Sequence, residues 1–239
     1  MDILAMDSSA VSASAAYMRD GRILGQYYIN AKLTHSTTLM PMVEHLLKSA
    51  RLSLNDVDYF AVAVGPGSFT GLRIGIAAVK GLSLALNKPC IPVSTLEAIA
   101  YNYVYTDTYI CAVMDARCSQ FFNALFKCSA DGTVQRLCDD RAIAFDALAD
   151  ELNSKYSGVQ FTLVGDGAQL AYKLMSERVH TPLRMAAPHL MYQQSSSVAF
   201  VAQGLAEQGR SVTSQQLLPS YLRLPQAQQE LRKRLNSNQ

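Results

Sequence analysis

The amino-acid sequence predicts an α/β protein made of two similar halves, each a mixed sheet with helices on both faces. Three observations carry this reading. Short apolar runs of strand character alternate with stretches whose apolar residues recur at helical spacing. The order β-β-β-α-β-α-β-α is written once up to about residue 104, and the same order begins again at Thr108. The turn dipeptides Asp20-Gly21 and Asp131-Gly132 fall at matching places in the two runs. The boundary is expected between Tyr105 and Thr108, giving units 1–106 and 107–239; one large α/β domain is the alternative.

Asp2 to Met6 is a short apolar strand that runs into "DSSAVSAS", where small hydroxyl residues suit a hairpin turn. A strand at Ile23 to Ile29 follows "RDGR", so the first strands are antiparallel neighbours. "HSTTLMPMVEHLLKSA" spaces Leu39, Val43, Leu46, Leu47 and Ala50 as an amphipathic helix, with Pro41 expected in its first turn, where a missing N–H costs little. "DYFAVAVGPG" is a buried strand entering a glycine loop. "TGLRIGIAAVKGLSLAL" is then a helix apolar on most sides, with Arg73 and Lys80 as its only charges. "PCIPVS" and "TLEAIAYNYV" close the first half as strand and helix. In the second half "TYICAVMDAR", "QFFNALFKC" and Val134 to Leu137 read as strands. "AFDALADELN" reads as a helix, "QFTLVGDGA" as a strand into a turn, and "AQLAYKLMSE" as a helix. A last helix, "SSSVAFVAQGLAEQG", is opened by a serine cap and closed by Gly209.

With 49% apolar and 17% charged residues in 239, the chain has the composition of a folded globular protein. Its net charge of +2 and the lack of a basic stripe argue against a dedicated nucleic-acid binder; the densest basic run is Arg232-Lys233-Arg234. The first residues lack the basic and apolar regions of a leader, and no run approaches ~18 consecutive apolar residues. Five cysteines without C-x-x-C spacing suggest neither a zinc cage nor a disulfide framework. No membrane partner and a cytoplasmic location with reduced thiols are expected.

"VGPGSFTGLRIG", residues 64 to 75, looks like a phosphate-cradling loop but fails the known patterns. No lysine follows a correctly spaced glycine to reach β- and γ-phosphates. Thr70 stands where a third dinucleotide glycine belongs, and no acidic residue follows ~20 positions on. Two readings stay open. Helix N-terminal N–H groups with the Ser68 and Thr70 hydroxyls suit an anion. Alternatively, Gly65 and Gly67 permit a tight strand-to-helix turn that Thr70 caps.

The G-P-G-S-F-T-G-x-R segment, with "ILAMDSSA", "AVMDAR" and "PSYLR" in the same order, closely resembles the TsaB family. These are bacterial tRNA threonylcarbamoyladenosine biosynthesis proteins of the actin-like ATPase superfamily. The resemblance covers most of the chain and is densest in residues 1–117. It implies the duplicated actin-like, ribonuclease H-like form of the fold read above. It also implies a non-catalytic subunit supporting a TsaD-like transferase together with a TsaE-like ATPase. That complex forms N6-threonylcarbamoyladenosine at position 37 of tRNAs reading codons that begin with A. The expected partners are TsaD, TsaE, tRNA through the complex, and a second copy of the chain. The related transferase carries a His-x-x-x-His metal motif where this chain has Thr95 and Ile99, so no catalytic metal site is expected. Active superfamily members place Asp-x-Gly-Thr at the first hairpin, where this chain has Asp7-Ser8-Ser9-Ala10; the second-half equivalent is Asp115-Ala116-Arg117. No cofactor is therefore expected on the isolated chain, with ATP and metal on the partner subunits.

The candidate anion, nucleotide or partner-binding residues are Asp7, Ser8, Ser9, Gly65, Gly67, Ser68, Thr70, Gly71, Arg73, Asp115 and Arg117. Leu39, Met40, Met42, Val43, Leu46, Gly75, Ala78, Gly81 and Ala85 are the candidate interface-helix positions. In the family, a neighbouring first-half domain covers these helices. His35 and His45 project roughly 80° apart on one helix and make no metal pair. Two rival readings are an independent ATP-dependent kinase of the same fold and a peptidase acting on its partner. The peptidase is poorly supported, because Ser68 lacks the G-x-S-x-G elbow and nothing singles out Cys111 or Cys118.

Overall fold

A computed structural model describes residues 1–223. Strands β1 (Asp2–Asp7), β2 (Ala13–Arg19) and β3 (Arg22–Ile29) form an antiparallel meander. β4 (Tyr59–Gly65) and β5 (Cys90–Ser94) then add in parallel beside β1, giving the order β3-β2-β1-β4-β5. Asp20 and Gly21 both take positive φ, 47° and 75°, as the tight β2–β3 hairpin requires. Every residue of β1 is buried because helices cover both faces of this sheet. On one face α1 (His35–Ala50) and α2 (Phe69–Leu86) pack on Leu4, Met6, Tyr17, Phe60 and Val62. On the other, Ile3, Ala5, Met18 and Ala61 meet Val198, Val201 and Ala202 of α6 (Ser195–Glu207).

The second sheet repeats the arrangement with β6 (Thr108–Asp115), β7 (Gln120–Cys128), β8 (Val134–Arg136), β10 (Phe161–Val164) and β11 (Leu183–Met185). Its order is β11-β10-β6-β7-β8, while β9 (Arg141–Ala144) pairs with the other end of β7. Read from the third strand, both sheets run third, second, first, fourth, fifth. Helices α4 (Phe145–Lys155) and α5 (Ala168–Met175) cover one face. Helix α3 (Thr95–Tyr101) sits between the sheets: Ala98 packs with the first sheet's core, and Leu96, Ile99 and Ala100 pack with Ile110, Ala112 and Phe126 of the second.

Several local expectations are corrected. α1 begins at His35, so Pro41 lies in its second turn and withholds the intrahelical donor for the Thr37 carbonyl. No serine of the Ser195–Ser197 run caps α6: Gln194 holds the N-cap position without a side-chain bond, and the Ser195 N–H donates instead to Ser14 Oγ of β2 at 2.9 Å. The short strands β9 and β11 are additions to the elements that the sequence pattern predicts. α2 is long and apolar enough to cross a membrane, yet Leu72, Gly75, Ile76 and Val79 are buried against the protein's own sheet.

Candidate functional site

The turns that open the two halves face each other across a cleft of about 780 Å³. Ser9 and Ala10 line it from the β1–β2 turn, and Asp115 to Cys118 line it from the β6–β7 turn. Pro66 to Phe69 come from the glycine loop, Asp166 from the β10–α5 turn, and Ser220 to Arg223 from the end of the described chain.

In the glycine loop the glycines serve close packing inside the protein. The Ser68 N–H donates to the Ser9 carbonyl at 2.7 Å, and the Ser8 hydroxyl donates to the Gly71 carbonyl at 2.8 Å. A Cβ on Gly67 would overlap the Ser9 carbonyl, one on Gly71 the Ser8 carbonyl, and one on Gly75 would lie 2.6 Å from Ser8 Oγ. Gly65 has φ 130°, which favours glycine, and it approaches Ser220 closely. Helix α2 is capped by Ser68, whose Oγ accepts from the Gly71 N–H at 3.3 Å; Thr70 is exposed and does not cap. The hairpin turn Asp7 to Ser9 and the start of α2 are thus one docked unit.

Both halves bind their own turn amides in the same way. Asp7 Oδ1 accepts from the N–H and hydroxyl of Ser9 at 2.8 and 2.7 Å. Asp115 Oδ1 accepts from the Arg117 N–H at 2.7 Å, while its Oδ2 lies 3.3 Å from the Arg117 guanidinium. The Gly165 and Gly167 amides donate to the Met191 and Val113 carbonyls at 2.8 and 3.2 Å. Two carboxylate oxygens, Asp7 Oδ2 and Asp166 Oδ1, are buried with no hydrogen-bond partner. Burial pushes each of these carboxyls up to about 6, and for Asp166 the neighbouring Asp115 charge pushes the same way. Arg117, Cys118 and Ser119 take φ of 63°, 52° and 57°, a left-handed run that L-residues seldom adopt.

Of the sequence-derived candidates, Ser9, Gly67, Ser68, Asp115 and Arg117 line the cleft. Asp7, Ser8, Gly65 and Gly71 lie buried beneath it, whereas Thr70 and Arg73 point elsewhere. The Arg73 guanidinium stacks over the Phe69 ring at 3.8 Å, and its Nε donates to the Tyr221 hydroxyl at 3.0 Å. Asp166, Lys32, Tyr192, Tyr221 and Arg223 also line the cleft; of these the sequence reading touched only Asp166, through the Gly-Asp-Gly turn, and "PSYLR" was the signal for Tyr221 and Arg223.

The helix positions divide sharply. Leu39, Met42, Val43 and Leu46 are core residues of the protein's own first half, and Gly75 is covered by Ser8, so these five cannot face a partner. Ala78 is half-buried. Met40, Gly81 and Ala85 point outwards beside Leu84, which is 68% exposed, and Gly81 has open space where a Cβ would stand. Thr95 and Ile99 are fully buried in α3, and among the described residues no three His, Cys, Asp or Glu side chains gather as a metal-holding group. Burial pushes the Cys111 thiol up to about 12 and the Cys128 thiol up to about 11, the reverse of thiolate activation.

Two halves with the same strand order, set around a cleft formed by their opening turns, define an actin-like protein. A solved Pseudomonas aeruginosa structure, described as an uncharacterized protein with similarity to peptidase YeaZ, superposes with a TM-score of 0.79 at 27% identity. The match covers 93% of this chain and 99% of that one. The family model described as TsaD, tRNA N6-adenosine threonylcarbamoyltransferase, matches residues 26–231. The Bacillus subtilis tRNA threonylcarbamoyladenosine biosynthesis protein TsaB is 30% identical over 95% of this chain and 96% of its own length. The Escherichia coli protein of that name is 28% identical over 93% and 95%. The chain belongs to the TsaB proteins within the TsaD family.

Proposed function

We propose that the chain is a non-catalytic subunit in the formation of N6-threonylcarbamoyladenosine at position 37 of tRNA, acting by binding a TsaD-type transferase alongside a TsaE-type ATPase. The observation that carries the reading is the internal use of the turn amides. Ser9, Arg117, Ser68, Gly71, Gly165 and Gly167, the backbone donors that would cradle phosphates, are bonded to the protein itself. A triphosphate in this cleft would also face the Asp115 and Asp166 carboxylates, which disfavours it. Nor do Thr95 and Ile99 fit a catalytic metal, since neither supplies an imidazole. With chemistry assigned to the partner, this chain's contribution is its surface. Met40, Gly81, Leu84 and Ala85 form the outward side of α1 and α2, where we place the transferase or a second copy of this chain. Small residues there let a partner helix come close.

The test is reconstitution. The purified chain is mixed with a TsaD-type transferase, the mass of the complex is measured, and modified adenosine is quantified with each component left out in turn. A stable complex and loss of product on omitting the chain are expected. A transferase that modifies tRNA equally well alone would overturn the proposal.

A further inference from the structure

We infer that Ser220 to Arg223 is a strap that holds the two halves at a fixed angle across the cleft. On the first half, the Ser220 N–H donates to the Val64 carbonyl at 2.8 Å, next to Gly65, whose missing side chain admits the Ser220 carbonyl. One residue on, the Tyr221 ring stacks on Phe69 with centroids 4.9 Å apart, and its hydroxyl accepts from Arg73. Two residues further, Arg223 has crossed to the second half: its Nη1 donates to the Ala116 carbonyl at 2.6 Å and to the Arg117 carbonyl at 3.3 Å. Four consecutive residues therefore join the end of β4 and the start of α2 to the β6–β7 turn. Of the two carbonyls that Arg223 grips, that of Arg117 opens the left-handed run and that of Ala116 directly precedes it. The guanidinium thus meets the β6–β7 turn at the point where its left-handed run begins.

A second tie between the halves lies away from the cleft. Arg136 of β8 pairs with Glu97 of α3 at 2.8 Å, and the Ser94 hydroxyl at the end of β5 donates to Asp140. None of these four residues lines the cleft. Two ties at separate places suppress hinge bending about either one, and a preorganised pair of halves presents a partner with one shape instead of many. This inference stands on the intramolecular geometry and does not depend on which partner is bound.

The experiment uses the full chain and its Tyr221→Ala and Arg223→Ala variants, with amide hydrogen exchange read at residues 65–71 and 116–120. The Tyr221 contacts described above are with the first half, and those of Arg223 are with the second. The strap predicts crossed effects of at least fivefold: Y221A speeds exchange at 116–120, and R223A speeds it at 65–71. Effects confined to the half each residue touches, or no effect, overturn the strap. A second measurement stands apart from local protection. Spin labels at Lys48→Cys and Ser154→Cys in a Cys118→Ser background should show one narrow distance, which broadens in the double variant Y221A/R223A. An unchanged distribution also overturns it.

Discussion

Ser8 occupies the space that a side chain on Gly71 would need, and the Ser8 hydroxyl donates back to the Gly71 carbonyl at 2.8 Å. Because the obstacle is a backbone carbonyl and not the end of a flexible side chain, Gly71→Ala must displace α2 or the β1–β2 turn. Overpacking of this kind costs about 1–3 kcal/mol, read as a fall in the urea midpoint at constant m. Gly81, ten residues along the same helix, has open space around it. Gly81→Ala should therefore raise stability by about 0.5–1 kcal/mol through helix propensity alone. Opposite signs for the two glycines of one helix are the expected result; a neutral Gly71→Ala would show that the docking of the turn on α2 is loose.

The Gly71 contact also marks how far the sequence could be read. Periodicity was enough for the strands and helices that pack on a full face of a sheet, and the Asp20-Gly21 dipeptide was enough for its hairpin. β9 and β11 escaped because no turn dipeptide announces them, unlike the equally short β8 behind Asp131-Gly132; their strand state comes from pairing with β7 and β10. The glycine loop was legible as either a turn or an anion cradle, and local spacing cannot separate these. The atoms that decide between them sit on Ser8 and Ser9, about sixty residues earlier. Leu39, Met42, Val43 and Leu46 turned out to be core for a related reason: an apolar residue on a helix says that it is buried, not which neighbour buries it.

Stability should fall as pH rises through the range where Asp7 and Asp166 ionise. Each carboxyl stands at about 6 in the folded protein against an ordinary value of 3.8. The native state therefore holds protons that the unfolded chain has released, and stability declines between about pH 4 and pH 6 before levelling off. For fully buried Asp7 the gap amounts to at most about 3 kcal/mol. Asp7→Asn, which cannot ionise, should lose roughly half of this slope in melting temperatures recorded from pH 4.5 to 7.5. An unaltered slope would assign the titration to other groups.

Leu84 tests the partner-facing side of α2 separately from folding. It is 68% exposed, so Leu84→Glu should leave the melting temperature of the isolated chain nearly unchanged, within about 0.5 kcal/mol. If the transferase covers this strip, the buried glutamate should weaken the complex at least tenfold, about 1.4 kcal/mol, by calorimetric titration. Gly81→Arg should act in the same direction by filling the gap that a partner helix would enter. Full affinity in both variants would move the interface away from this side of α2.

Helix α6 depends on a cap that comes from 181 residues away. Ser14 Oγ on β2 accepts the Ser195 N–H at 2.9 Å and shares a 2.7 Å hydroxyl contact with Ser195 Oγ, and both serines are fully buried. Ser14→Ala removes the acceptor and strands a buried N–H at the start of a helix, which costs about 1–3 kcal/mol. Ser195→Ala removes only the hydroxyl contact and leaves the backbone bond to Ser14 intact, so its cost should be about 1 kcal/mol or less. In a protein of this size the difference should appear as a melting temperature lower by about 2–4 °C per kcal/mol for Ser14→Ala. Because α6 packs on the first sheet, the same variant should speed amide exchange in β1 and β2 more than in β6 and β7. Equal costs for the two serines would mean that the hydroxyl pair, and not the capped N–H, holds the start of α6 against the first sheet.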